Sequence, residues 1–213
     1  MDFDEFLISI SKIKNIPLPA QASQFKMVPA FRQDLLKQQE EAIKRAKKAG
    51  VLALFYPNKN RETCFILILR NTYNGVHSAQ IGFPGGKVEK QDASLEATAI
   101  RETFEEVGVP TNTIEIVRKM SEVYIPPSNF YVQPFIAISA ETPQFVKQDK
   151  EVEAIIEVPL THFFDDANVI TQKVNTSYSV EVEVPAFHLN NYVVWGATAM
   201  MLSEIKDLLK QLM

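Results

Sequence analysis

Apolar runs and amphipathic segments alternate irregularly along the chain, a pattern that predicts a mixed sheet flanked by helices. The runs Val51–Tyr56 and Thr63–Arg70 have the length of buried strands, and the turn-rich segment Pro57–Asn60 joins them as a hairpin. This arrangement is typical of the α/β class. Further strands are predicted at Ile114–Met120, Phe130–Ile138, Val152–Val158 and Tyr178–Val184.

Helical patterns lie before, between and after these strands. A short helix is predicted at residues 3–13, and Pro17 ends it because proline disfavours the helical conformation in the residue before it. A charged helix is predicted from Phe31 to Ala49, with Gly50 as its stop. The remaining predicted helices are Ala93–Val107, a short one near Pro159–Phe164, and Gly196–Leu212.

Length and composition favour one globular domain. The 213 residues are 46% hydrophobic and 23% charged, which is ordinary for a globular protein. We expect an extension at residues 1–30 and the main domain at residues 31–213. Residues 1–49 are interpreted as either a homodimer contact or a lid, and the sequence does not choose between them.

Charge and hydropathy exclude two classes of partner. The net charge of −4 leaves no broad basic footprint for nucleic acid. The longest apolar stretch, near Val193–Leu202, is far shorter than the roughly 18–20 residues of a membrane span. The first ten residues are acidic where a signal peptide is basic. A cytoplasmic protein that binds neither nucleic acid nor membrane is therefore expected.

Three carboxylates lie close together on the predicted helix Ala93–Val107. Glu102, Glu105 and Glu106 are three and four residues apart, and like charges at those spacings destabilise a helix by roughly 0.2–0.5 kcal/mol per pair. On a helical wheel they fall opposite the face expected to be buried, and we expect them to point to solvent. That buried face consists of Ala93, Glu96, Ile100, Phe104 and Val107.

A glycine pair just before this helix suggests what the carboxylates do. Gly85-Gly86 permits positive φ and close backbone approach, although a plain tight turn also accounts for the pair alone. Mg²⁺ is usually held by one or two carboxylates together with waters and substrate phosphates. The residues thus indicate metal-assisted chemistry on a phosphate ester or anhydride, with an ordinary acidic surface as the alternative.

The spacing of these residues resembles a known motif. The run Gly86…Arg101-Glu102-x-x-Glu105-Glu106-x-Gly108-Val109 is similar to the Nudix box, G-x5-E-x7-R-E-U-x-E-E-x-G-U with U aliphatic. Thr103 stands at an aliphatic position. Asp92 replaces the first Glu, and one extra residue separates it from Arg101.

Flanking residues resemble the coenzyme A pyrophosphatase branch of the Nudix hydrolases. Arg70 and Phe83-Pro84-Gly85-Gly86 match the branch signature L-L-T-x-R-S-x3-R-x3-G-x3-F-P-G-G in register. Segments Glu151–Leu160 and Trp195–Ala199 also look like this branch. The signature's Ser, second Arg and first Gly are replaced by Asn71, Gly75 and Ala79, and Lys87 or His77 are candidates to stand in for the arginine.

The resemblance implies a fold and a role for each matching residue. The fold would be an α/β/α sandwich with a central mixed sheet. Glu102, Glu105 and Glu106 would bind Mg²⁺ or Mn²⁺, and Arg101 would orient Glu105 or a neighbouring acid. Glu151 is either the distant acid that acts on the attacking water or an exposed loop carboxylate, and Asp92 is expected to be a helix cap. The substrate would be held by Arg70, Gly85, Gly86 and Lys87.

The resemblance implies a Nudix pyrophosphohydrolase. The expected substrate is a small nucleotide diphosphate, coenzyme A or an acyl derivative, cut to 3′,5′-ADP and (acyl-)phosphopantetheine. Hydrolysis of ADP-ribose, a nucleotide sugar or a dinucleoside polyphosphate is the alternative within the same class. A Nudix fold that senses a nucleotide metabolite without turnover is the alternative from another class.

Overall fold

The computed structural model describes residues 1–29, 40–71, 80–174 and 182–212. Several predictions concern residues outside these ranges. They are the first part of the charged helix at 31–49, the loop that holds Gly75, His77 and Ala79, and the start of the strand Tyr178–Val184.

The helices and strands follow the predicted alternation. The α-helices are α1 Phe3–Ile10, α2 Gln21–Gln24, α3 Glu40–Lys44, α4 Leu95–Val107, α5 Leu160–Phe164 and α6 Gly196–Lys210. The strands are β1 Lys47–Pro57, β2 Thr63–Arg70, β3 Ile81–Gly82, β4 Gly85–Lys87, β5 Glu115–Lys119, β6 Val123–Ile125, β7 Phe130–Ile138, β8 Val152–Pro159, β9 Val169–Val174, β10 Val182–Leu189 and β11 Tyr192–Val194.

Eight of the strands form one mixed sheet. Its main order is β3-β2-β1-β7-β5, with β4 paired to β1, β6 to β7 and β8 to β2. Strands β1 and β7 are parallel and the other pairs are antiparallel. Strands β9, β10 and β11 form a separate antiparallel sheet. The predicted central mixed sheet with flanking helices is therefore confirmed.

The central strand β1 is covered on both faces. Leu52, Leu54 and Tyr56 belong to a core that includes Ala99 and Val107 of α4. The alternate residues, such as Val51 and Phe55, belong to a second core with α1 and α6. Because successive side chains of a strand point to opposite faces, α4 lies on one face of the sheet and the terminal helices lie on the other.

The N-terminal helix is part of this second core. Phe3, Phe6, Ile10 and Ile13 are almost fully buried. The guanidinium of Arg118 on β5 donates to the carbonyl oxygens of Ile13 at 3.1 Å and Ile16 at 3.0 Å, and also to that of Lys14. Residues 1–29 thus pack against the sheet, and the domain boundary at residue 30 stays a prediction.

The charged helix predicted to end at Ala49 is wrong at its C-terminal end. The helix ends at Lys44, and residues from Lys47 onward belong to β1. Their backbone pairs with β7 from Phe130 onward, and this distant pairing overrides the local helical pattern. Gly50 is therefore a strand residue and not a helix stop. A Cβ at Gly50 would lie 2.2 Å from the carbonyl oxygen of Leu95, so its absence lets α4 approach the sheet.

The buried face predicted for α4 is largely wrong, since only Val107 of its five residues is fully buried. Phe104 is 51% exposed, whereas Glu106 is only 1% exposed and Ala99 and Thr103 are fully buried. Glycines in β1 and β4 leave room under the helix, and the helix turns part of its acidic side towards that backbone. Only Glu105 keeps the expected exposure, with 53% of its side chain open to solvent.

The helices offer no membrane-spanning candidate: within the described ranges, none is both long and apolar enough to cross a bilayer.

Candidate active site

Local signals fix both ends of α4. The Oγ of Ser94 accepts a hydrogen bond from the backbone N–H of Ala97 at 3.1 Å, which is a typical N-cap. Gly108 ends the helix in the left-handed conformation, with φ of 76°. The N–H groups of Val146 and Gln148 then donate to the carbonyls of Val107 and Glu106 at 2.9 and 3.0 Å. The segment after β7 is thereby attached to the end of the helix.

Glu106 is a buried carboxylate with two partners. Its Oε2 accepts from the backbone N–H of Gly85 at 2.8 Å, and its Oε1 accepts from Nη1 of Arg70 at 3.1 Å. Burial raises the pKa of Glu106 to about 7, against the opposing effects of Arg70 and the Gly85 N–H. Glu102 and Glu151 add to this rise, so their negative charges are close enough to repel that of Glu106.

Glu102 lies directly against Gly86. A Cβ at Gly86 would fall 2.3 to 2.5 Å from the carboxyl atoms of Glu102, so a side chain at that position would displace the carboxylate. Burial raises the pKa of Glu102, and repulsion by Glu105 and Glu151 acts in the same direction. The glycine pair therefore does more than turn the chain: Gly85 binds one carboxylate and Gly86 leaves space for another.

Arg101 connects the acids of this region. Its Nη1 lies 2.9 Å from Oε1 of Glu102 and 3.0 Å from Oε2 of Glu105. Its Nε and Nη2 bind the two carboxyl oxygens of Asp92, each at 2.9 Å. One guanidinium thus connects two carboxylates of α4, those of Glu102 and Glu105, to Asp92 in the preceding loop.

The predicted role of Asp92 as the helix cap is wrong, because Ser94 caps the helix. Asp92 instead faces inward, with 3% of its side chain exposed. It accepts hydrogen bonds from Arg101, from the hydroxyl of Thr98 and from the backbone N–H of Glu89. The bonds from Arg101 hold the pKa of Asp92 well below its usual range, so it remains ionised.

A polar cavity of about 470 Å³ lies beside the carboxylates. This volume is in the range of small-molecule sites. Exposed Glu151, just before β8, lines the cavity together with Glu102, Glu105 and Glu106. The lining residues, nearly all of them charged or polar, are Arg70, Gly86, Lys87, Glu89, Glu102, Glu105, Glu106, Gln148 and Glu151.

The cavity collects most of the residues predicted from the sequence. Arg70, Gly86, Lys87 and the four glutamates line it directly. Gly85 and Arg101 do not line the cavity but contact residues that do: Gly85 bonds to Glu106, and Arg101 pairs with Glu102 and Glu105. Sequence reasoning missed Glu89 and Gln148. The first lies between Gly86 and Asp92, where its position was a usable signal, whereas nothing in the sequence marks the second.

The carboxylates that line the cavity suit a hard divalent cation, although among the described residues their oxygens do not converge on one point. Carboxylate oxygens are the ligands that Mg²⁺ prefers, and the mutual repulsion of Glu102, Glu106 and Glu151 is what a cation relieves. Within the described ranges, no three His, Cys, Asp or Glu side chains converge as a ready metal cluster. Arg101 and Arg70 hold Glu102 and Glu106 in the present arrangement.

The chain is similar to curated Nudix proteins. It is 31% identical over 155 residues to the peroxisomal coenzyme A diphosphatase ndx-8 of Caenorhabditis elegans, a match that covers 72% of this chain and 64% of the relative. The chain thus spans less than two thirds of that relative's length. It is 26% identical over 144 residues to the uncharacterized Nudix hydrolase NudL of Yersinia pestis, covering 68% of this chain and 71% of the relative.

A solved structure shares the fold, and a family model assigns the family. The fold is similar to that of the Nudix hydrolase RenU from M. smegmatis, with a TM-score of 0.54 at 15% identity over 78% of this chain and 87% of the other. The family model of the NUDIX domain matches residues 46–175, which is more than half of the chain and includes β1, β4, α4 and the cavity. The chain therefore belongs to the NUDIX domain family, the family of the Nudix hydrolases.

Proposed function

We propose that this protein is a divalent-metal-dependent pyrophosphohydrolase that cleaves the diphosphate bond of coenzyme A or acyl-coenzyme A. Water attacks one phosphorus, the P–O–P bridge breaks, and the products are 3′,5′-ADP and (acyl-)phosphopantetheine. The observation that carries the proposal is the polar cavity that the carboxylates of α4 and Glu151 line together. The similarity to a coenzyme A diphosphatase favours this substrate over other diphosphates.

The carboxylates of α4 form the proposed metal site. Nudix hydrolases depend on a divalent metal, and Glu102, Glu105 and Glu106 are the proposed ligands, with Mg²⁺ or Mn²⁺ as the proposed ion. When bound, such an ion neutralises phosphate oxygens and lowers the pKa of a water molecule. Arg101 orients two of these acids from behind, and its bond to buried Asp92 fixes the guanidinium.

The walls of the cavity bind the diphosphate. Arg70 and Lys87 are the cationic side chains that line it, together with the backbone at Gly86. A guanidinium or an ammonium near a dianionic group offers strong, charge-assisted hydrogen bonds. Lys87 is exposed, whereas Arg70 is partly buried and already bound to Glu106. We therefore expect Lys87 to bind the substrate near the cavity mouth and Arg70 to bind it deeper inside.

Glu151 is the proposed acid that positions or deprotonates the attacking water. It stands on a different segment from the α4 carboxylates and lines the same cavity. An acid outside α4 reaches a water molecule without competing for the ligand positions on the helix. A candidate base must lie within hydrogen-bond reach of the proton that it takes.

To test this proposal, the purified protein is incubated with Mg²⁺ and one candidate substrate at a time, and the products are separated by chromatography. The candidates are coenzyme A, acetyl-coenzyme A, ADP-ribose, a nucleotide sugar and a dinucleoside polyphosphate. We expect 3′,5′-ADP from the coenzyme A compounds and little product from the others. Efficient cleavage of ADP-ribose without cleavage of coenzyme A would overturn the substrate. Binding of a nucleotide without any turnover would instead indicate a sensor.

A further inference from the structure

Glu151 ends a tight turn whose backbone is internally bonded. The N–H groups of Glu151 and Val152 donate to the carbonyl of Gln148 at 3.1 and 2.9 Å, and the N–H of Lys150 donates to the side-chain oxygen of Gln148 at 2.7 Å. The N–H of Gln148 in turn binds the carbonyl of Glu106 at the end of α4. One side of the turn is therefore fixed to the helix that bears the other carboxylates.

Asn71, the residue after β2, holds the other side of the turn. Its backbone N–H donates to the carbonyl of Glu151 at 2.9 Å, and its Nδ2 donates to the carbonyl of Asp149 at 2.8 Å. Two bonds from one residue thus bind two carbonyls of the same turn. Neither bond uses the carboxylate of Glu151, so that group is left facing the cavity.

An irregularity of the sheet brings Asn71 to this position. The register of β2 and β8 shifts between Leu69 and Arg70, so that Arg70 pairs with Val152. Such bulges redirect the side chains that follow them and are frequent beside active sites. Here two consecutive residues at the strand end bond to the site: Arg70, which lines the cavity, bonds to Glu106, and Asn71 bonds to the turn of Glu151.

We propose that Asn71 is a positioning residue for the reaction, which acts by holding the turn that carries Glu151. The inference rests on the proposed function, because it gives Glu151 a role in hydrolysis. It concerns a position where the chain departs from the coenzyme A pyrophosphatase signature, since Asn71 stands where that signature has Ser. The longer amide side chain supplies the bond to Asp149.

A double-mutant cycle tests the coupling. Outer partners that orient metal-site groups typically contribute 10–100-fold to activity, so we expect Asn71→Ala to lower kcat about 10-fold with KM nearly unchanged. In a Glu151→Gln background the same change should have little further effect, because it acts through Glu151. Asn71→Ser is the second variant, for use if Asn71→Ala folds poorly. Its hydroxyl is too short to replace the amide, so it should show the same fall in kcat.

Hydrogen–deuterium exchange gives a second readout that does not depend on activity. In Asn71→Ala the amides of residues 148–152 should exchange about 10-fold faster, as expected for a turn that has lost one of its bonds. Asn168→Ala is the matched control, since the Nδ2 of Asn168 also donates to a backbone carbonyl, that of His162, at 2.8 Å. It should leave exchange at the turn and kcat unchanged.

The outcomes separate this inference from the proposed function. Unchanged exchange at the turn, or equal losses from Asn71→Ala with and without Glu151, would overturn the inference while leaving the hydrolase proposal intact. A parent protein that cleaves no diphosphate would end the proposed function and with it the catalytic role of Asn71. Both would be supported by faster exchange at the turn together with a loss of kcat from Asn71→Ala that occurs only when Glu151 is present.

Discussion

The carboxylate of Glu106 lies buried because the N–H of Gly85 and the guanidinium of Arg70 bind it and offset the cost of removing it from water. The spacing of Glu102, Glu105 and Glu106 marked them as a group, and all three line the cavity. The sequence placed them on a solvent face because carboxylates are rarely buried unless they have partners. The partners of buried Glu106, the N–H of Gly85 and the guanidinium of Arg70, lie 21 and 36 residues away, and no local pattern reveals them.

Glu105 gives the sharpest residue-level prediction of activity. Since loss of an outer partner of a metal site typically reduces activity 10–100-fold, replacing the proposed direct ligand by Glu105→Gln should lower kcat at least about 100-fold. Glu96→Gln is the control, because Glu96 is exposed on the same helix and does not line the cavity. Steady-state rates with Mg²⁺ check the prediction, and equal rates for Glu105→Gln and the parent would contradict the site.

Asp92 provides a prediction of pH dependence. Its pKa lies below the ordinary value of about 3.9 in the folded protein, so its ionised form stabilises the fold. Asp92→Asn should therefore lower the free energy of unfolding by about 1.5–3 kcal/mol near neutral pH, the usual contribution of hydrogen bonds to charged groups. That contribution is complete well above pH 4 and is lost as the pH falls through the folded-state pKa.

Urea unfolding of Asp92→Asn and the parent between pH 7 and pH 2.5 measures this effect. The difference in unfolding free energy between the two proteins should be constant near neutral pH. It should narrow below about pH 4, where protonation begins to remove the contribution of ionised Asp92 in the parent. A difference that widens towards acid would show that the ion pair with Arg101 does not stabilise the fold.

At the scale of elements, the helix α4 was predicted within two residues but its orientation was not. The wheel placed Ile100 and Phe104 towards the sheet, on the rule that apolar residues are buried. Gly50 and Gly86 override this rule because their missing side chains create the space that the helix occupies. The fit depends on backbone atoms of strands distant in sequence, which hydrophobic periodicity does not contain.

The two glycines should fail in different ways when changed to alanine. A Cβ at Gly50 would meet the backbone carbonyl of Leu95, and this clash is relieved only if the helix backbone shifts. Gly50→Ala should therefore destabilise the fold by about 1–3 kcal/mol. A Cβ at Gly86 would meet only the end of the Glu102 side chain, which rotates away. Gly86→Ala should keep most of the stability and lose activity.

Thermal unfolding and kcat, measured on both variants, separate these effects. We expect a lowered Tm for Gly50→Ala and a lowered kcat at nearly unchanged Tm for Gly86→Ala. The account of α4 packing is wrong if Gly50→Ala unfolds at the parent's temperature.

At the scale of the whole molecule, the predicted class and mixed sheet are correct, and the least predictable parts depend on long-range pairing. Lys47 and Lys48 looked helical because their partners, Phe130 and Tyr131, lie more than 80 residues later. The small sheet of β9 to β11 was largely missed because its strands are short or half exposed. The N-terminal helix was predicted, but its burial was not.

The burial of α1 yields a prediction about global stability. Phe6 is 1% exposed and contacts the ring of Phe55 at a centroid distance of 5.1 Å, whereas Ile8 on the same helix is 67% exposed. Phe6→Ala should therefore lower the free energy of unfolding by about 3–5 kcal/mol. Ile8→Ala, the control, should change it by less than about 0.5 kcal/mol, as surface substitutions usually do.

Urea unfolding followed by circular dichroism checks this pair. One cooperative transition, shifted to lower urea in Phe6→Ala alone, is expected if residues 1–29 and the sheet form one folding unit. A separate early transition in the parent would instead show that the N-terminal segment unfolds by itself.

We propose that the carboxylates of α4 hold a divalent cation beside the cavity. Crystals soaked in Mn²⁺ test it most directly, since the anomalous difference map locates the ion without reference to any substrate. We predict a peak bordered by the carboxylates of Glu102, Glu105 and Glu106 in the parent and a much weaker one in Glu105→Gln. A cavity without a peak at saturating Mn²⁺, in a protein that still hydrolyses diphosphates, would contradict the account.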